Sequence, residues 1–439
     1  MSANEQQNAP EAQDAEPIEE FISTDEVDQE VVQVDDGQQP EDDPAMEDDV
    51  PMGEGEGETI EIDMSNNSVS YFDKHTDSVF TLAHHPTLPL VVSGGADNVA
   101  NLWTSHSHPP KMAGNITAHT ESVICSSFTC DGKFLVTADM NGKILVHAGL
   151  KGGAQWKLVS ELNEVQEVVW LKAHPVVPSI FAFGAIDGSV WCYQISEQDG
   201  SLEQLMSGFA HTQDCTMGEF INLDKGDAAI ELVTASLDSS IIGWNAYTGQ
   251  QLFKIAQADI KGLEAPWVSL AVAPAALTKG NYGVVAAGSN NGVLAIINAN
   301  NNGAVLHIET VVELKSEQEE LDASIESVCW SQKYPLMAVG LVGGQILLYD
   351  TNTWRVRRQF VLEDSITKLV FDNDDIFASC INGKVYQYDA KTGAEKFICV
   401  GHNMGVMDFI IVHPKDASQP RKVITAGDEG VSLVFDVPN

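Results

Sequence analysis

A turn residue followed six positions later by an aromatic residue recurs along this 439-residue chain. The eight pairs are Asp97/Trp103, Asn141/His147, Asp187/Tyr193, Asp238/Trp244, Asn291/Ile297, Gly343/Tyr349, Asn382/Tyr388 and Glu429/Phe435, and only Ile297 lacks a ring. Their mean interval is about 47 residues. Self-similarity at such a period means one supersecondary unit used repeatedly. Each unit runs from an apolar stretch through small residues and a turn into a second apolar stretch, as in Leu90 to Trp103, Ile180 to Tyr193 and Leu232 to Trp244. Short apolar runs bounded by Gly, Asp, Asn or Ser are strand signals. The turn residues have a mechanism: Asp and Asn bond the backbone two residues on, and Gly accepts positive φ.

Four units carry an upstream histidine, His75, His119, His211 or His402, and a Ser or Thr four residues before the turn residue, at Ser93, Thr137, Thr234 and Thr425. Two sets are complete: His75, Ser93, Asp97 and Trp103, and His211, Thr234, Asp238 and Trp244. This arrangement resembles the structural tetrad of WD40 propellers, which implies that these residues lock blades. A His/Asp/Ser catalytic triad is made once per fold, whereas this pattern repeats. The expected fold is all-β, an eight-bladed WD40 β-propeller of four-stranded blades. The last unit reaches its third strand at Val431–Phe435, with only four residues after it. Val69–Phe72 is therefore expected to supply the missing strand and remove an open edge. The propeller is expected over 59–439, and deleting 59–72 is expected to unfold it.

The net charge of −41 divides unevenly. Residues 1–58 hold 21 Asp and Glu, no Lys or Arg, and one aromatic residue, Phe21. Such a segment buries too little apolar surface to offset chain entropy, so a disordered acidic extension is expected. The remainder carries 43 acidic against 23 basic residues. Nucleic acid is not expected as a direct ligand because its phosphates need basic neutralisation. A basic protein is the natural counterpart. No apolar run approaches the roughly 18 residues of a membrane span, and there is no secretory signal pattern. The seven cysteines show no CxxC spacing, which reads as reduced thiols inside a cell. His84–His85 and His106-Ser-His108 are weak metal candidates, and no cofactor is expected. No Gly-rich phosphate loop, HExxH or nucleophile elbow is present, so an enzyme is not expected.

Aligning the units places acids where each innermost strand begins and where loops of all blades converge on one face. They are Asp77, Glu121, Glu326 and Asp364, with Glu167, Asp214 and Glu264 within one residue of the same register. The eighth unit has Gly405 there, but Asp428 and Glu429 lie in a turn opening on the same face. Trp267 falls at this register and is expected to pack against an aliphatic or guanidinium stem. A ring of like charges focuses a negative potential and draws cations.

Longer stretches carry a narrower resemblance: DMSNNSVSYFDKHTDSVF (63–80), FGAIDGSVWCYQI (183–195), GLEAPWVSLA (262–271), FDNDDIFASCINGKVYQ (371–387) and VITAGDEGVSLVF (423–435). On these the chain is similar to the fungal WD-repeat ribosome-assembly chaperones dedicated to the large-subunit ribosomal protein numbered ten in yeast, with the angio-associated migratory cell protein as animal relative. The resemblance implies a non-enzymatic, cytoplasmic, monomeric chaperone. It would bind the basic N-terminal segment of that newly made protein and deliver it to late 60S pre-ribosomes. The binding role then falls on Glu121, Glu167 and Glu326, and on Asp77, Asp214, Glu264, Trp267, Asp364 and Asp428. A histone-binding or general WD40 scaffold is the competing reading, but no long amphipathic helix precedes the first unit.

Overall fold

Apolar runs between turn residues become strands, and the described residues assemble them into eight antiparallel four-stranded sheets. The computed structural model describes residues 65–313, 319–416 and 418–438. The expected acidic extension, 1–58, and the first part of the expected closing segment, 59–64, lie outside the described residues. Each sheet is a blade, with strands a to d counted outward. The eight a strands are Val79–His84, Val123–Phe128, Val168–Ala173, Cys215–Ile221, Trp267–Val272, Ile325–Trp330, Ile366–Asp372 and Val406–Val412. They pack side by side around a closed ring.

Radial packing explains the composition of the units. In blades 1 to 7 strand b is buried along its whole length, because a neighbouring blade covers each face. Blades converge inward, so the end of strand b needs small side chains. A Cβ on Gly94 would lie 2.6 Å from Val123 of the next blade, and one on Gly340 would lie 2.8 Å from Ile366.

Each b–c turn has a left-handed residue seated on the loop that leads into the next blade. Gly188 has φ 79°, and a Cβ there would lie 2.6 Å from the Gln213 carbonyl oxygen. Gly383 and Gly430 take the same role, 2.7 Å from the Met404 oxygen and 3.0 Å from the Asp77 oxygen. Blades 1 and 4 place Asn98 and Ser239 there, at φ 65° and 64°. Their side chains supply a bond instead: Asn98 Nδ2 donates to the Thr120 oxygen, and Ser239 Oγ accepts from Ala265 N.

The ring closes without a covalent join. Ser70–Phe72 pairs antiparallel with Ser432–Val437 as the fourth strand of blade 8. Upstream, Asn67 straps the seam to blade 7: its backbone N donates to Val400 O and its Nδ2 to Ile398 O, while its Oδ1 accepts from Val400 N. Phe72 stacks on Trp103 of blade 1 at 4.8 Å between centroids.

Buried polar networks brace blades 1, 2, 4 and 8. In blade 1, His75 Nδ1 lies 3.0 Å from the Asp97 carboxylate, His75 Nε2 lies 2.9 Å from Ser93 Oγ, and Trp103 Nε1 donates to Ser93 Oγ at 3.1 Å. Blade 4 differs: His211 Nδ1 donates to Ser240 Oγ at 2.7 Å, and Ser240 Oγ donates to Asp238 at 2.5 Å. The hydroxyl thus bridges His211 Nδ1 and the Asp238 carboxylate, which lie 3.7 Å apart. In blade 2 the acid partner of His119 is Asp139 at 3.3 Å, two residues before the turn residue Asn141. In blade 8, His402 Nδ1 meets Glu429 at 2.5 Å. Three of the four networks therefore lie in consecutive blades around the seam.

These networks set an acid response. Burial works to raise Asp139, but hydrogen bonds from His119, Thr120 N and Lys143 N hold it down to about 2. Its stabilisation is complete above the ordinary carboxylate range and is lost as pH falls toward 2. Burial, with His119 nearby, pushes His147 down to about 4, and burial alone does the same to His174. Neutral in the fold and protonated when unfolded, each costs stability as pH drops from about 6.5 to 4, by up to ~3 kcal/mol.

Two outcomes are expected. Phe72→Ala should destabilise the ring by ~3–4 kcal/mol in urea unfolding, as loss of a buried aromatic does; unchanged stability would mean that the seam does not hold it. Stability measured between pH 7 and 4.5 should fall with decreasing pH, and His147→Phe should flatten that fall.

Candidate ligand-binding face

The b–c turns and the loops leading into strand a lie together at one end of the ring, and one repeated bond sets their register. The first b–c residue donates its N–H to the carbonyl of the residue just before strand a: Ala96 to Ser78, Met140 to Ser122, Ile186 to Glu167, Leu237 to Asp214, Asn290 to Pro266, Val342 to Ser324, Ile381 to Ser365 and Asp428 to Gly405. By this count Glu167 and Asp214 immediately precede strand a, while Asp77, Glu121 and Asp364 lie one residue earlier. Glu264 lies one earlier still. Asp428 opens its b–c turn, and its Oδ1 accepts from Ser78 Oγ at 2.7 Å beside Asp77.

Two expected members are placed differently. Glu326 is not in the leading loop. It is the second residue of its strand, at the bulge between Ile325 and Ser327, three positions beyond the register assigned from sequence. The other blades carry Phe80, Ile124, Val169, Thr216, Val268, Thr367 and Met407 there, each half-buried, and Glu326 alone among them is exposed. The bulge aims the extra residue out of the ladder, so its carboxylate stays at the mouth, accepting from Ser324 Oγ at 2.6 Å. Trp267 is corrected outright. It is 0% exposed, the first residue of its strand, and packs into the core between blades 4 and 5 with Val233, Ile241 and Val293. An indole that size fills the inter-blade space and cannot meet a ligand.

The carboxylates differ in how far they are satisfied. Asp77 accepts from Ser78 N and Asp364 from Ser365 N, both at 2.8 Å. Among the described residues no hydrogen bond or ion pair engages the carboxylates of Glu121, Glu167, Asp214 or Glu264. Sequence alignment also passed over Glu319, Glu320 and Asp322, which a short 3-10 helix at Glu320–Ala323 brings to the loop before blade 6. The signal was the ELDA run itself, misread because the alignment slipped by three. Asp322 is used locally, accepting from Glu319 N.

Deeper in the ring the charges are paired. Lys368 binds Asp408 at 2.6 Å, Asp408 also accepts from Leu82 N, and Lys172 pairs with Glu219. At the mouth, by contrast, Glu121, Glu167, Asp214 and Glu264 stand without such partners among the described residues. The histidines of the buried networks are each under 10% exposed, so their repeated His/acid/hydroxyl sets are closed to substrate. A separate cleft of about 740 Å3 opens where the a–b turns of blades 1 and 8 meet, lined by His84, His106, His108, His413, Lys415 and Lys422. Among the described residues no His, Cys, Asp and Glu cluster is arranged to hold a metal ion, and no helix is long and apolar enough to cross a membrane.

Comparison with known proteins agrees with this architecture. The family model "WD domain, G-beta repeat" matches residues 66–104 and 111–147. The ribosome assembly protein Sqt1 of Saccharomyces cerevisiae is 68% identical over 437 residues, covering 97% of this chain and 100% of that protein. Its crystal structure superposes with a TM-score of 0.85 at 72% identity, over 86% of this chain and all of that one. Human angio-associated migratory cell protein is 28% identical, with 87% of this chain and 83% of that protein aligned. A crystal structure of Chaetomium thermophilum Sqt1 bound to the N-terminus of ribosomal protein L10 has a TM-score of 0.73 at 26% identity, covering 85% of this chain and 100% of that one. The eight-bladed ring, its seam and its near-complete likeness to the yeast protein together show that this chain belongs to the Sqt1 family of ribosome assembly proteins.

Proposed function

We propose that this protein is a dedicated, non-catalytic chaperone. It holds the basic N-terminal segment of newly made ribosomal protein L10 on the acidic mouth and releases it to late cytoplasmic 60S pre-ribosomes. The observation that carries the reading is the set of unpaired carboxylates, Glu121, Glu167, Asp214 and Glu264, on consecutive blades around one opening. The L10 N-terminus bound to the Chaetomium Sqt1 structure supports the choice of partner.

The physics suits capture and transfer. A basic extension that has left the exit tunnel has no rRNA to neutralise it. Carboxylates converging at a concave mouth supply that neutralisation and speed encounter. Each exposed ion pair contributes only ~0.2–1 kcal/mol, so affinity rests on several together. Such a site weakens as salt rises, and rRNA phosphates compete for the same cations at delivery. Asp77, Asp364, Asp428 and Glu326 extend the ring, with part of their capacity used locally.

Calorimetric titration of the L10 N-terminal peptide into the full chain tests this. Binding is expected to weaken with added salt. The double reversal Glu121→Lys/Glu167→Lys should weaken it by at least about 30-fold, since lost attraction and new repulsion together cost ~2 kcal/mol or more. Unchanged affinity in a folded double variant would exclude the mouth as the site. Trp267→Ala should lower stability by ~3–5 kcal/mol as a core truncation.

A further inference from the structure

The carboxylates at the mouth are interleaved with apolar side chains that the fold does not require. The residue opening each b–c turn is fixed by its N–H bond to the carbonyl before strand a. In blades 7 and 8 its side chain reaches the loop leading into the next blade. In blade 8 this residue is Asp428, whose carboxylate accepts from Ser78 Oγ at 2.7 Å. In blade 7 it is Ile381, whose Cδ1 lies 3.1 Å from where a Cβ on Gly405 would stand. In these two blades the side chain therefore sits between the leading loops of adjacent blades, and the shared main-chain bond starts every other b–c turn in the same register.

Over blades 2 to 4 this gives a strict alternation: Glu121, Met140, Glu167, Ile186, Asp214, Leu237. Met140 is 42% exposed and Ile186 39% exposed, flanked by charge on both sides. Nothing in the turn demands an apolar residue. Asn290 and Asp428 occupy the equivalent position in blades 5 and 8 and make the same main-chain bond. Met140 and Ile186 are thus exposed aliphatic groups placed between carboxylates.

We propose that the arc over blades 2 to 4 is a composite site, in which the carboxylates take Arg or Lys and Met140 and Ile186 take apolar or aromatic side chains between those cations. The inference rests on the chaperone reading and adds a selection rule. A basic segment punctuated by apolar residues is favoured over a purely cationic one. The cations bring the ligand in, and the apolar contacts supply affinity that salt does not screen.

The test uses the full chain, the L10 N-terminal peptide and an oligo-arginine of equal length, titrated at two salt concentrations and two temperatures. Met140→Ser/Ile186→Ser should lose about tenfold in affinity for the L10 peptide. Its salt dependence should be unchanged and its heat-capacity change on binding less negative. Its affinity for oligo-arginine should stay at the wild-type level. Glu121→Lys/Glu167→Lys should instead weaken both ligands and flatten the salt dependence. If the serine variant binds the L10 peptide within twofold of wild type with the same heat-capacity change, while the lysine variant fails, the composite site is wrong and the chaperone reading stands. If wild type binds the L10 peptide no better than oligo-arginine, the selection rule is likewise overturned. No binding of the L10 peptide by wild type overturns both readings.

Discussion

The ring depends on one contact made at every blade junction: the left-handed residue of a b–c turn seated on the loop leading into the next blade. It explains why Gly142, Gly188, Gly292, Gly344, Gly383 and Gly430 stand where they do, since each has a positive φ and a Cβ would crowd the neighbouring loop. It also explains the exceptions, because Asn98 and Ser239 bring a side-chain bond in place of the missing room. The loops held in this way are those that carry the carboxylates. Closing the ring and presenting the acids are thus one structural event, and a propeller that opened at its seam would lose both.

Charge is distributed with the same economy of parts. Polar groups inside the blades are consumed by the histidine networks, and charges on the inner strands cancel across blades, as Lys368 does with Asp408. At the mouth no such cancellation engages Glu121, Glu167, Asp214 or Glu264. Like charges held close together raise the free energy of the unliganded protein, and a cationic ligand relieves that repulsion. Exposed charges at a rim also exchange quickly. A chaperone that must surrender its cargo to RNA needs that property more than extreme affinity.

Much of this was legible in the chain, and what was missed has definite causes. The repeat of turn residue and ring, the four histidines and the short last unit were enough to anticipate eight blades and a closing strand. Blade 6 failed locally because its leading loop contains an extra helical turn. Matching SIESV to HTDSV then moved Glu326 by three residues and hid Glu319 and Glu320. Trp267 was misjudged because register alone cannot tell which side of a bulge a residue faces, and the first residue of strand a points into the core. Asp139 was overlooked since Asn141 holds the usual place of the acid, and only the folded turn shows that the carboxylate two residues earlier reaches His119. The apolar residues between the acids were invisible for a related reason: they belong to other loops and meet the carboxylates only across blade junctions.

Amide hydrogen exchange of the full chain with and without the L10 N-terminal peptide tests the central claim most directly. If the acidic mouth holds the basic segment, protection appears in the leading loops around Asp77, Glu121, Glu167 and Asp214 and in the adjoining b–c turns, and the outer strands and a–b turns stay unchanged. Protection centred on the a–b turns of blades 1 and 8, around His84 and His413, with the mouth unaffected, would contradict it.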